Sequence, residues 1–223
     1  YPNLGNAQGG NGTDSGLSAF GADGFTLTSG DDANGSGATG LAWNWRAGNS
    51  AGSANSDGSI SSTVTVNTTS KMSIVKWTGT LANATVGHGL GVAPKLIIVK
   101  CVATAGRSWT VYHGTLGATK HLTLNENDAV ATSSASWNDT APTSDVFYLG
   151  SSNNTNDSVQ MTAYCFAEVP GYSKFGKYDG NGSTDGTFVY TGFKPSWLLI
   201  KIEGADSWRL WDNARCPFNV NVL

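Results

Sequence analysis

The sequence predicts an all-β protein, an antiparallel β-sandwich built from tandem repeat units with little or no helix. Three observations carry that expectation. Short segments of alternating apolar and polar residues recur at intervals of about ten residues, the spacing of sandwich and barrel strands. Asp23-Gly24, Asp57-Gly58, Asp179-Gly180, Asn181-Gly182 and Asp185-Gly186 punctuate the chain, and such dipeptides supply the positive φ angles that tight hairpins need. Nowhere do apolar residues recur at i, i+3, i+4 and i+7 through three turns, as an amphipathic helix demands.

The chain also repeats itself. Lys76-Trp77-Thr78-Gly79 is answered by Lys177-Tyr178-Asp179-Gly180. Pro94 and the run Leu96-Ile97-Ile98-Val99-Lys100 are answered by Pro195 and Trp197-Leu198-Leu199-Ile200-Lys201, and Ser108-Trp109 and Tyr112 by Ser207-Trp208 and Trp211. A second block repeats in the same way. Phe25-x-Leu27 matches Phe147-x-Leu149, and Ala42-Trp43-Asn44-Trp45 matches Ala163-Tyr164-Cys165-Phe166. Self-similarity of this kind signals stacked or tandem units.

Taken in order, residues 1–19 read as a Gly/Asn/Ser-rich arm, and residues 24–28 and 41–45 as two strands joined by a long polar turn. Residues 46–71, rich in Ser, Gly, Asn and Thr, form an insertion whose alternation of Ile60, Val64 and Val66 predicts one exposed or edge strand. Further strands are expected at 72–77, 95–102, 109–113, 121–125, 146–149 and 159–168. Three segments result. Residues 1–71 carry the back half of a unit plus the insertion, 72–168 a complete unit, and 169–223 the front half of another. A half-unit leaves sheet edges open, an aggregation hazard. The halves in 1–45 and 173–223 are therefore expected to complete each other, with Phe188–Lys201 pairing strands outside its own sequence neighbourhood and residues 20–45 the first candidate.

Composition excludes several partners. Charged residues make up 13% of the chain against about 25% in ordinary soluble domains, and the 13 basic residues are scattered at a net charge of −3. No patch collects phosphates or lipid head groups, so neither nucleic acid binding nor membrane insertion is expected. No apolar run nears the ~18 residues of a membrane span. Cys101, Cys165 and Cys216 lack the close pairing of a zinc or redox site and read as buried small apolar residues. Starting at Tyr1 with neither an initiator Met nor a signal-peptide pattern, the chain is expected to be a fragment, a processed product or part of something longer.

Candidate chemistry is sparse. His88, His113 and His121 stand in turn or strand-end positions, where a hydrogen-bonded structural role is expected. Acids fall mostly in Asp-Gly and Asp-Asn turns, leaving Glu126, Glu168 and Glu203 near strands, too few to suggest a glycosidase pair. Asp179, Asn181, Ser183 and Asp185 place oxygen side chains at alternating positions, as calcium loops do, but no bidentate Glu follows. A hairpin turn is the first reading of that stretch and a calcium site the second; no other cofactor is expected. Asp31-Asp32-Ala33-Asn34 is a weaker version of the same pattern. Among eight tryptophans, Trp43, Trp45 and Trp109 sit at strand positions and read as core. Trp137, in the polar segment Ser133–Thr143 and without a partner in the other unit, is the candidate for an exposed ligand or contact surface.

The strings SIVKWTG, ATVGHGLGVAPKLIIVK, WTVYH, WNDTAPTSDVFYLGSS, AYCFAEVPGYSKFGKYDGNGSTDGTFVYTGFKPSW and DNARCPFNVNVL closely resemble a repeat of large tail-associated proteins of marine tailed bacteriophages. That repeat often stands beside LamG-like β-sandwich domains, so the resemblance implies a jelly-roll or LamG-like sandwich. The likeness covers about residues 20–223. It also implies a virion location and brings no catalytic residues. In that family the D-x-x-R-x-P-x-N segment, here from Asp212 to Asn219, runs on into a further unit, and Tyr1-Pro2-Asn3 resembles its continuation after Leu223.

The expected function is that of a non-enzymatic structural virion protein, a tail, tail-fibre or surface-appendage module. Its expected partners are identical subunits, other virion proteins and a host-surface glycan. The alternative is a secreted carbohydrate-binding module, to be told apart by three or more coplanar, exposed tryptophans. A depolymerase is a weaker third reading and needs a cleft with converging carboxylates.

Overall fold

The structure is a computed structural model that describes residues 16–28, 34–37, 40, 42, 44–48 and 51–214. Trp43, Asp31, Asp32, Cys216 and both chain ends lie outside the described residues.

The central strand β12 (Gln160–Phe166) shows why the sheet forms here. Its sequence QMTAYCF alternates, so Met161, Ala163 and Cys165 are buried on one face while the residues between them turn to the other. It lies antiparallel between β5 (Met72–Thr78) and β7 (Leu96–Cys101). Outward from β7 follow β8 (Thr110–His113), β9 (Lys120–Thr123) and β10 (Ala131–Thr132); outward from β5 follow β4 (Ser62–Asn67) and β3 (Ser53–Asn55). These eight strands make one antiparallel sheet in the order β10-β9-β8-β7-β12-β5-β4-β3.

A ribbon of β6 (Ala84–Gly87) and β11 (Val146–Leu149) contributes the other side of the core. Val86, Phe147 and Leu149 from the ribbon share one buried cluster with Val75, Trp77, Ile97, Val99, Cys101, Met161, Ala163 and Cys165 from the sheet. Phe147 meets Trp77 edge to face at 5.5 Å. The fold is thus an all-β antiparallel sandwich. Cys101 and Cys165 are free and buried, as expected of small apolar residues.

Two single-turn helices, α1 (Ser134–Trp137) and α2 (Asn153–Asn156), interrupt segments expected as polar loops. Ser152 caps α2 by accepting from the Asn154 amide. Asn156, fully buried, takes the Thr80 amide on its Oδ1 and donates to the Ala82 and Gly150 carbonyls, joining the turn after β5 to the turn after β11.

Two expectations about strands need correction. The insertion 46–71 gives two strands rather than one, and β4 is an interior strand paired to both β3 and β5. Its Val64 is buried because the Ser/Thr/Val alternation suits a half-buried pleat. Of these two strands it is β3, three residues long and polar, that lies at a sheet edge, a form that discourages further pairing. Around Trp45, the described residues 42, 44 and 45 adopt no strand. At the N-terminus, β1 (Leu17–Phe20) begins inside the expected arm and pairs with β2 (Phe25–Leu27).

The last two strands, β13 (Trp197–Ile200) and β14 (Arg209–Asp212), form a hairpin of their own. Trp197, Leu198, Leu199 and Ile200 face Asp212, Trp211, Leu210 and Arg209. In β7–β8, Leu96, Ile97, Ile98 and Val99 face His113, Tyr112, Val111 and Thr110. All four pairs correspond through the repeat. The match continues past the strands, where Gly114 donates to the Lys95 carbonyl and Asn213 to that of Ser196. The expectation that Phe188–Lys201 pairs beyond its own neighbourhood is corrected for this chain, because among the described residues β13 pairs with β14 alone. An eight-residue connection closes the hairpin before a distant strand is needed.

Candidate functional site

Trp137 does not face a ligand. It is 1% exposed, and its ring meets Tyr112 edge to face at 5.7 Å. The expectation of a surface tryptophan is corrected because the α1 turn folds the ring inward beneath a polar backbone, while Asn138, in the left-handed region at φ 49°, ends the helix. Trp45, expected in the core, is exposed instead. Without its strand, it rests edge-on against Phe166 at 6.5 Å and Trp197 at 5.7 Å. The Trp45 and Trp197 rings stand at 84°, so this pair offers no flat platform for a sugar. Trp109 stacks on Tyr164 and lies beneath the Lys100 ammonium at 5.9 Å.

The stretch holding Asp179, Asn181, Ser183 and Asp185 is an exposed loop. Asn181 Oδ1 accepts from the Ser183 amide and Ser183 Oγ from the Asp185 amide, while Thr187 donates to the Asp179 carbonyl across the loop. Two of the four side chains, Asn181 and Ser183, therefore turn an oxygen to the loop's own backbone. Among the described residues, no group of three or more His, Cys, Asp or Glu side chains is placed to hold a metal.

Each of the three histidines is hydrogen-bonded within the fold. His88 is fully buried, accepts from the Leu90 amide on Nδ1 and reaches the Thr143 carbonyl with Nε2. Burial holds its pKa below the ordinary 6.5, against the raising effects of that carbonyl, Asp145 and Asp57. Burial also lowers the pKa of His113, which hydrogen-bonds Thr115, and of His121. His121 Nδ1 lies 3.2 Å from Ser136 Oγ, a serine–histidine pair not foreseen from the sequence. Ser136 is buried inside α1, and among the described residues no carboxylate is seen to bond the other imidazole nitrogen. Glu168 pairs with Lys174 and takes the Phe175 amide; Glu203 pairs with Lys177 at 2.6 Å. Lys177 thereby lowers the Glu203 pKa, and Glu203 raises that of Lys177.

What stands out is an open apolar face. Positions buried in the complete unit are exposed in the second copy: Ile97 at 0% against Leu198 at 43%, Tyr112 at 4% against Trp211 at 41%, and Phe147 at 0% against Phe25 at 41%. Cys101 and Ile202, and Trp77 and Tyr178, contrast in the same way. The hairpin that carries this face is held to the far edge of the large sheet. Trp208 Nε1 donates to the Thr123 carbonyl at 2.8 Å, the Val130 amide donates to the Glu203 carbonyl at 2.8 Å, and Lys120 lies 4.0 Å from the Glu203 carboxylate. Sequence matching finds these positions; their exposure depends on what packs against them.

No helix among the described residues is long and apolar enough to cross a membrane. A family model described as a domain of unknown function (DUF7483) matches residues 1–222, and the chain belongs to that family. No curated protein and no solved structure matches the chain.

Proposed function

We propose that this family member is a non-enzymatic structural protein of a bacteriophage virion, a tail, tail-fibre or surface-appendage module located on the particle. It works by packing against identical subunits and other virion proteins, and through them meets a host-surface glycan. The observation that carries this reading is the repeat itself: β13–β14 reproduces β7–β8 pair for pair. Repeated β units bury apolar surface against their neighbours, and arrays of them make extended, rigid scaffolds. The low-charge surface fits close subunit packing, since few charges must be desolvated at a contact. The phage-tail resemblance of the repeat strings supports the same reading.

Gradient-purified particles of a phage encoding the chain test it directly. Mass spectrometry is expected to find the chain at a fixed ratio to a tail protein, with antibody labelling on the tail or its appendages. Presence in the soluble lysate and absence from washed particles would overturn the proposal.

A further inference from the structure

The second unit is present in the chain in two pieces, and the structure points to how they join. In the complete unit, Phe166 ends β12 and faces Leu96 at the start of β7. Through the repeat, Trp45 corresponds to Phe166 and Trp197 to Leu96. Their rings already touch, 5.7 Å apart, although 152 positions separate them in sequence. The outward side of the junction is therefore in place. The inward side is open, with Leu198, Ile202, Trp211 and Tyr178 exposed on the hairpin block and Phe25 exposed on β2.

We propose that β2 docks on the inward face of β13–β14 of the same chain, placing Phe25 and Leu27 among Leu198, Trp211 and Tyr178. These are the places that Phe147 and Leu149 hold among Ile97, Tyr112 and Trp77 in one buried core. Three further observations identify the occupant as the chain's own segment. The connector has the right length: Leu27 to Trp45 is 18 positions, and Leu149 to Phe166 is 17. A segment tethered at Trp45 acts at high effective concentration, which a second copy must match through association. The family model treats residues 1–222, both pieces included, as one domain. The closure goes beyond the virion reading and stands or falls without it.

The edge-to-face pair Trp77–Phe147 defines the test, because its counterpart in the closed second unit is Tyr178–Phe25. Phe25→Cys and Tyr178→Cys are combined in a Cys216→Ser background and treated with a short bis-maleimide. Cys101 and Cys165 are buried, and burial pushes the Cys165 thiol up to about 12, so neither competes. Both engineered positions are exposed in the open arrangement and neither belongs to the core of the complete unit, so that unit folds in either case. The expected product is an intrachain link at monomer mass, formed at the same rate over a wide protein concentration range. A link that joins two chains would make a second copy the occupant and overturn the proposal. Hydrogen exchange supplies the second readout. Phe25→Asp is expected to speed exchange of the Trp197–Ile200 amides by about tenfold or more. Exchange in that hairpin that is already fast and unchanged by Phe25→Asp, together with no link, would also overturn it.

Discussion

Hairpins β7–β8 and β13–β14 share their register and the bond beyond their ends, yet one lines the core and the other stands open. Even their lysines behave alike: Lys100 donates to the Arg107 carbonyl and Lys201 to that of Gly204, each inside its own hairpin connection. The repeat offset is 101 before the turn and 99 after it, so eight residues separate the pair Ile200–Arg209 where ten separate Val99–Thr110, while the pairing is unchanged. A one-residue slip would have turned every side chain to the other face. The difference teaches that pairing is decided within about fifteen residues of sequence, whereas burial is decided by whatever the rest of the chain lays on top.

Matched substitutions in the two copies break or sharpen this comparison. Phe147→Ala is expected to destabilise by about 3–5 kcal/mol, the usual cost of emptying a buried aromatic site. Urea denaturation of that variant beside Phe25→Ala reads the state of the second unit. A cost at Phe25 near that at Phe147 means a closed second core, and a negligible one means an open face. Asn156→Ala strands the Thr80 amide and the Ala82 and Gly150 carbonyls, each worth about 1–3 kcal/mol if left without water. A drop in thermal midpoint with loss of amide protection at residues 80–82 is the expected result.

Gly79→Ala comes next. A Cβ there would collide with the backbone of Asn156 and Asp157, and overpacking of this kind costs about 1–3 kcal/mol. Its repeat counterpart Gly180 has open space, so Gly180→Ala is expected to be close to neutral in the same melts. The smallest effect is that of pH. His88 has its pKa lowered in the folded chain, so the unfolded chain binds the extra proton first. Its stabilising effect is complete above the ordinary value of 6.5 and is lost as pH falls through it. The thermal midpoint is expected to drop between about pH 8 and about pH 5, and to drop less in His88→Gln.

Most of the complete unit was legible in the sequence. Strands at 72–78, 96–101 and 146–149 announce themselves because one face is buried and the other mostly half-exposed, which writes period two into the residues. The helices did not, since four residues are too few for a helical period. Trp137 was misread for that reason: its flanks are polar while its ring points inward. Val64 was hidden among Ser and Thr. Trp45 was misread because its match to Phe166 carries over a residue type but not the neighbours around it. The open face of the second hairpin is not written in the hairpin's own residues, since Leu198 and Trp211 are as apolar as the buried residues they match.

The contact between Trp45 and Trp197 also sets a timetable. Residues 53–166 contain every strand of the large sheet and the ribbon that packs with it, and they can form before the rest of the chain joins. The two tryptophans cannot meet until the 152 positions between them have been made, a longer wait than any hairpin needs. During synthesis Phe20 and Phe25, both exposed on β1 and β2, are made long before β13 and β14. The meeting of Trp45 with Trp197 is then a late event, coming after residues 53–166 have formed their sheet.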